Sequence, residues 1–250
     1  MDLRLIFLPL TVIYSVLVSV WWFVRPEHFF WLLLAILIHS FVSAWWLTRT
    51  RKDWAIFALL PLFLFASGLS YALIISIQNV AIVVVVISLL GTILYWRLVF
   101  LYTFKQSLYR PFSLERLSSY LSFLTIYFSA AALFGLKIFL NIPDMQLLGV
   151  MSLVLIATII QWLWFQKISL PLGWVYGISA FIVVMEIFLI VGYLPINFHL
   201  LGFCVAIVWY AVSTLLGYQL AKTLNLTRVR LVLIISLGIL LAALLTARWF

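Results

Sequence analysis

The sequence predicts an all-α, polytopic transmembrane helix bundle of about nine helices, and three observations carry that reading. First, 68% of the 250 residues are hydrophobic, only 8% are charged, and the mean hydropathy is +1.29. A soluble domain of this size cannot hide so much apolar side chain, so lipid must be the solvent for much of the surface. Second, apolar runs of about 20 residues, the length that crosses a hydrocarbon core, recur along the chain. Third, Lys and Arg collect at alternate ends of those runs.

Nine runs follow in order, at residues 5–24, 29–47, 54–77, 80–101, 117–139, 145–165, 170–193, 199–221 and 231–247. Their connections are short, so residues 1–250 read as a single transmembrane domain with no soluble domain. The first run is longer than the apolar core of a signal peptide. Trp21-Trp22 follows where small cleavage-site residues are expected, so it reads as a retained helix. Pro9 in the first run and Pro61 in the third should loosen the local hydrogen-bond ladder, with Gly68 and Ser70 adding to the effect in the third. The longest connection, 102–116, holds Lys105, Arg110 and Arg116. Within it, Pro111 precedes Ser113-Leu114-Glu115, which reads as a helix start: Ser113 can cap and Glu115 suits the positive end of the helix dipole. Ser118, Ser122, Thr125 and Ser129 share one face of the fifth run, and Thr11, Ser15 and Ser19 one face of the first. Small hydroxyl residues let helices approach closely, so both faces read as packing seams.

Charge placement sets the orientation. With the N-terminus in the cytoplasm, the inner ends hold Arg4, Arg49, Arg51, Lys52, Arg97, Lys105, Arg110, Arg116, Lys167, Lys222, Arg228 and Arg230. The outer side then holds only Arg25, Lys137 and Arg248, and the C-terminus lies outside. All twelve tryptophans but Trp209 fall near run ends, where amphipathic rings favour the headgroup layer. The net charge of +9 is spread over run ends and not gathered in a separate basic domain. The partner it implies is therefore the bilayer itself, through anionic headgroups at the cytoplasmic face, and not nucleic acid. Arg49, Arg51, Lys52, Lys105, Arg110, Arg116, Arg228 and Arg230 are the expected lipid-contacting set. Such a chain belongs in a cell membrane, with the bacterial cytoplasmic membrane as the expected one, and a membrane-protein partner is compatible with it.

Chemistry-bearing motifs are scarce. Zincin, nucleophile-elbow, P-loop and dinucleotide-binding patterns are all missing from the sequence, so no catalytic residue, metal or cofactor is assigned. The lone Cys204 has no disulfide partner and sits in an apolar run as a small packing residue. Asn225-Leu226-Thr227 matches a glycosylation sequon, but on the inner side of this topology it reads as chance. Glu27-His28 lies in an outer loop, where Glu27 is placed to neutralise Arg25.

One polar feature stands out. Of six acids, Glu186 alone lies well inside a run; the other five sit beside loops. A carboxylate at the bilayer midplane costs about 2.5–3.5 kcal/mol even on the lenient insertion scale, so Glu186 should face protein or water. Ser179 and Tyr193 lie seven residues to either side and share its helical face, which is expected to turn into the bundle. At about 1.5 Å of rise per residue, Glu186 falls about 12 Å below the outer end of its run and His39 about 15 Å below the outer end of its own. Trp209, Ser88 and Ser67 fall near the same level. The resulting hypothesis is an intramembrane polar cluster of Glu186, His39, Ser179, Tyr193 and Trp209, with Glu186 as a proton carrier or cation ligand. Against it stands local hydrogen bonding of Glu186 and His39 that only fixes helix packing.

Two stretches, Pro111-Phe112-Ser113-Leu114-Glu115-Arg116-Leu117-Ser118-Ser119-Tyr120 and Glu186-Ile187-Phe188 with Tyr193-Leu194-Pro195-Ile196-Asn197-Phe198, resemble an uncharacterised family of multi-helix bacterial membrane proteins. The resemblance implies a membrane-embedded helical fold and carries over no functional residue. Three functional classes follow: a non-enzymatic scaffold, assembly or lipid-associated component; a small transporter or ion-coupled permease using Glu186; and a membrane enzyme acting on a lipid-linked substrate.

Overall fold

A computed structural model describes residues 13–21, 26–48, 53–168 and 170–247. Residues 13–21 are helical (α1) and belong to the first expected span, the rest of which lies largely outside the described residues. A 3-10 turn, Pro26–His28, leads into α2, Phe29–Thr48. Then follow α3 (Ile56–Ile74), α4 (Gln78–Phe104), α5 (Ser113–Leu140), α6 (Asp144–Phe165), α7 (Leu170–Val191), α8 (Phe198–Leu220) and α9 (Leu226–Leu245). These eight helices, α2 to α9, are all long and apolar enough to cross a membrane. The all-helical, multi-pass fold is therefore as the sequence predicts.

Most boundaries fall within a few residues of the apolar runs. Several of the differences have local causes. Helix α9 starts five residues early because Asn225 caps it, its side chain accepting from the Arg228 amide at 2.8 Å. That use of Asn225 gives its side chain a structural role in place of the sequon reading. Helix α7 ends at Val191 instead of 193, as the chain turns through Gly192 and Tyr193. Just past the ends of α5, α6 and α8 stand residues with left-handed backbone, Asn141, Lys167 and Lys222, whose amides bond carbonyls of the last turn. Pro61 lies inside α3, and the helix continues through it.

The chain divides into two compact units, Met1–Ser122 and Phe123–Phe250. In the first, α3 packs against both α2 and α4, and 61% of its span is buried, the highest share of any span. Gly91 of α4 faces the ends of Leu64 and Leu121, at 3.0 and 2.8 Å from where a Cβ would stand. In the second, α6, α7, α8 and α9 pack in sequence order, α9 being the most exposed at 11% buried. Here α5 and α8 meet almost backbone to backbone: a Cβ on Gly202 would lie 2.6 Å from the Ala131 amide nitrogen. This is the small-residue contact that stands in for a hydrophobic driving force between helices in lipid.

The hydroxyl faces are buried as packing seams should be. Ser15 and Ser19 on α1 and Ser118, Ser122, Thr125 and Ser129 on α5 are all buried, while Thr11 lies outside the described residues. Trp96 departs from the interfacial reading. Helix α4 runs on to Phe104, which puts Trp96 two turns inside it, and the indole is 1% exposed. Trp21, Trp31, Trp45 and Trp174 are exposed, as interfacial rings are; Trp22 and Trp249 lie outside the described residues.

Candidate functional site

Helix α7 fixes the position of Glu186, and its two faces differ in composition. The buried face carries Gly173, Gly177, Ala180, Val184 and Phe188. The two glycines let α6 approach, since a Cβ at either would touch Leu163 or Ile159 at about 3.0 Å. Nine residues at 100° each place Glu186 about 180° round the helix from Gly177. Glu186 accordingly lies on the exposed face, with Ser179, Ile182, Val183, Leu189 and Ile190. The expectation that the stripe of Ser179, Glu186 and Tyr193 turns into the bundle is corrected: all three are exposed. The physical reason is that close helix packing in lipid selects small residues, and these sit on the opposite side.

The depth reading changes as well. With α7 ending at Val191, Glu186 is five residues, about 7.5 Å of rise, from the helix end. His39 remains about 15 Å from the start of α2 on the same rise. The two residues belong to different units, and each has its own surroundings. His39 stacks on the Tyr14 ring, with centroids 4.0 Å apart and planes 16° apart, and its Nε2 is 3.5 Å from the Ser43 hydroxyl. Ser43 lies one turn further along the same helix, and the Tyr14 ring covers one face of the imidazole.

The remaining proposed cluster members separate by role. Ser179 donates to the Val175 carbonyl of its own helix at 2.9 Å. Trp209 is buried in α8 at 2% exposure. Ser67 and Ser88 are buried and donate to the Leu64 and Val84 carbonyls within their own helices. Tyr193, past the end of α7, joins a different group. Lys137 Nζ lies 5.0 Å from its ring centroid and 2.7 Å from Asp144 Oδ1. Among the described residues, no hydrogen bond or ion pair reaches the Glu186 carboxylate.

The Lys137–Asp144–Tyr193 group was not anticipated, although its signal is present. Lys137 is in the last turn of α5 and Asp144 in the first turn of α6, each at the dipole end that suits its charge. Only three residues separate the helices, so the charges meet. Phe134 stacks on Phe188 beside them, centroids 4.6 Å apart.

The α4–α5 connection is built differently. Phe112 takes a left-handed backbone, φ 64°, and α5 begins at Ser113. Ser113 does not act as the expected cap: its hydroxyl donates to the Arg110 carbonyl at 2.6 Å. Tyr109 takes over that role. Its hydroxyl accepts from the Leu114 amide at 3.1 Å and donates to Glu115 Oε2 at 2.8 Å. Burial pushes the phenol up to about 12; the Leu114 amide opposes this, and Glu115 adds to it. Beside this turn lies a cleft of about 330 Å³, lined by Arg97 and Arg110 together with Ser113, Leu94, Leu108 and Leu117. No carboxylate within the described residues pairs with either arginine.

The other expected lipid-contacting residues sort by exposure and partner. Lys105, Arg110, Arg116 and Arg230 are exposed. Arg228 is exposed but committed, donating to the Thr223 carbonyl at 2.7 Å and lying over the Tyr218 ring at 5.1 Å. Arg49, Arg51 and Lys52 lie outside the described residues, as does Arg25. Glu27 and His28 approach to 4.0 Å. Among the described residues, no group of three or more His, Cys, Asp or Glu side chains is placed to hold a metal.

No protein-family model, curated protein or solved structure matches the chain.

Proposed function

We propose that this multi-pass membrane protein is a non-enzymatic assembly component, one that docks a partner's transmembrane helix on the outward face of α7. One observation carries the reading: Glu186 is exposed, without a hydrogen-bond or ion-pair partner among the described residues, on a stripe that is otherwise apolar through Ile182, Val183, Leu189 and Ile190. A carboxylate facing lipid is costly, up to about 2.5–3.5 kcal/mol at the midplane and less toward the helix end. A facing helix that brings a basic or hydrogen-bond-donating side chain to this depth removes that cost and gains its own pairing. The proposed location is the bacterial cytoplasmic membrane, with the N-terminus inside and the C-terminus outside, on the strength of the Lys and Arg distribution.

For ion-coupled transport the same carboxylate must line a hydrated path, yet its neighbours on the stripe are hydrocarbon. The cleft between α6 and α7 is likewise apolar, lined by Ile156, Leu163, Trp174 and Phe181 among others, and Glu186 does not line it. For lipid-linked catalysis His39 was the second candidate group, and it is engaged with Tyr14 and Ser43.

The test is site-specific photo-crosslinking in native membranes. Probes at positions 182 and 190 should yield one adduct of defined mass, and probes at 180 and 184, on the buried face, should not. The adduct should fall at least about fivefold in Glu186→Leu, the size expected for one intramembrane hydrogen bond of about 1 kcal/mol. Lipid adducts alone at 182 and 190, with no response to Glu186→Leu, would remove the proposal. An adduct whose mass is a second copy of this chain would replace the foreign partner with self-association.

A further inference from the structure

We propose that the cleft beside the α4–α5 turn is a binding site for an anionic phospholipid, with the headgroup phosphate between Arg97 and Arg110 and an acyl chain along α4. Both guanidinium groups are exposed, line the same cleft and have no carboxylate partner among the described residues. Two planar forks that can each offer paired N–H donors suit a phosphate better than they suit water alone. The Ser113 hydroxyl lines the same cleft.

What makes the ligand a lipid and not a free anion is the surface below Arg97. Leu94, Leu90, Ile87 and Val83 are all exposed, and the spacings of three, four, three and four from Arg97 put them on one face of α4. From Val83 to Arg97 the helix rises about 21 Å, enough to carry a fatty acyl chain through one leaflet. Helix α4 has 27 residues, about 40 Å, against a hydrocarbon core of about 30 Å. Its final turns, with Arg97 below them, therefore reach the headgroup layer. Leu94, Leu108 and Leu117 give the cleft an apolar lining beside the two arginines. A soluble phosphate has no use for that lining or for the stripe.

The inference rests on the membrane embedding of the chain and not on partner docking at α7, so the two fail separately. Glu186→Leu should leave lipid retention unchanged, and the arginine variants should leave crosslinking at position 182 unchanged.

The experiment uses the full chain purified in a neutral detergent and titrated under native mass spectrometry. The probes are phosphatidylglycerol, phosphatidylcholine with the same acyl chains, and inorganic phosphate. The wild type should retain phosphatidylglycerol several-fold better than phosphatidylcholine, and millimolar phosphate should not displace it. Arg97→Gln and Arg110→Gln should each weaken retention about fivefold, the size expected for one basic residue at a membrane surface. Arg97→Lys, which keeps the charge and guards against a folding defect, should lose less than Arg97→Gln. Arg230→Gln, an exposed arginine elsewhere, should stay within about twofold of wild type. Equal retention of the two lipids, or arginine variants at 97 and 110 no different from Arg230→Gln, would overturn the site. Displacement of the lipid by inorganic phosphate would reassign it to a soluble anion and overturn the lipid.

Discussion

At its C-terminal end α5 carries Lys137, held 2.7 Å from Asp144 and 5.0 Å from the centre of the Tyr193 ring. At its N-terminal end it begins beside Arg97 and Arg110, which pair with no acid among the described residues, while the Glu115 carboxylate accepts from Tyr109. One end neutralises its charge within the protein; the other leaves charge facing outward. Part of the difference is the dipole of α5, whose C-terminal end favours a cation such as Lys137 and whose N-terminal end does not. The neighbouring helix differs as well. Helix α6 begins with an acid after a three-residue connection from α5, whereas α4 brings a second arginine to the start of α5. A paired cation is part of the scaffold, and two cations without an acid partner among the described residues, above an apolar stripe, are a surface for an anionic amphiphile.

Helix α5 meets α8 almost backbone to backbone at Gly202, and the largest expected effect comes from disturbing that contact. Gly202→Ala puts a methyl 2.6 Å from the Ala131 amide nitrogen, and backbone cannot move aside as a side-chain end can. We expect a loss of about 2–3 kcal/mol or more, seen as a lowered melting temperature in detergent and a smaller monodisperse fraction. Gly149→Ala and Gly238→Ala are the matched controls, because nothing lies within 4 Å of their added methyls. Both should be neutral or stabilising by up to about 1 kcal/mol, since alanine is the better helix former. If Gly202→Ala melts like its controls, α5 and α8 are not in backbone contact.

How far these features were legible before the structure depends on the physics behind each. Helix number and limits were readable because hydrocarbon thickness fixes span length, and Asn225 moved a boundary because caps are not set by hydropathy. Glu186 was readable as an anomaly in composition. The direction it faces was misread because α7 is apolar all round, and in lipid an apolar side chain reports neither inside nor outside. The readable clue was Gly173, Gly177 and Ala180, small residues at spacings of four and three, lying opposite Glu186. The Arg97–Arg110 cleft was unreadable because it joins a residue of α4 to one thirteen further on, in a turn that includes the left-handed Phe112. Tyr109 was missed as a cap because tyrosine has no preference for that role, and only the turn brings its hydroxyl to the Leu114 amide.

That tyrosine gives the next effect in size and tests whether the N-terminal end of α5 is as well built as the other. Tyr109→Phe leaves the Leu114 amide and the Glu115 carboxylate without their shared partner, at a cost of about 1 kcal/mol. The alkaline limb supplies an independent check. The phenol ionises near 10 when unfolded and at about 12 when folded, so the folded state holds its proton longer. Its stabilising contribution is complete below pH 10 and is lost as pH rises from 10 toward 12. The wild type should therefore lose stability over that window relative to Tyr109→Phe, and the difference spectrum at 295 nm, a tyrosinate band, should show one late-ionising tyrosine absent from the variant. Matching alkaline profiles would place Tyr109 in solvent and leave α5 uncapped.

The smallest change in stability bears most directly on the comparison. Asp144→Asn removes the carboxylate from Lys137 but keeps a polar side chain at the start of α6. Both partners are partly exposed, 29% and 41%, so the pair and its dipole contribution are worth only about 0.5–1 kcal/mol together. The more telling readout is lipid. The substitution leaves Lys137 over the Tyr193 ring with no anion, which gives the C-terminal end of α5 the condition of the N-terminal end. If unpaired charge at a helix terminus is enough to hold an anionic headgroup, Asp144→Asn should gain a second phosphatidylglycerol. If the two arginines and the stripe of Leu94, Leu90, Ile87 and Val83 are also required, Asp144→Asn should gain none. We expect no second lipid, because Lys137 offers a single ammonium where Arg97 and Arg110 offer two forks above a hydrocarbon track.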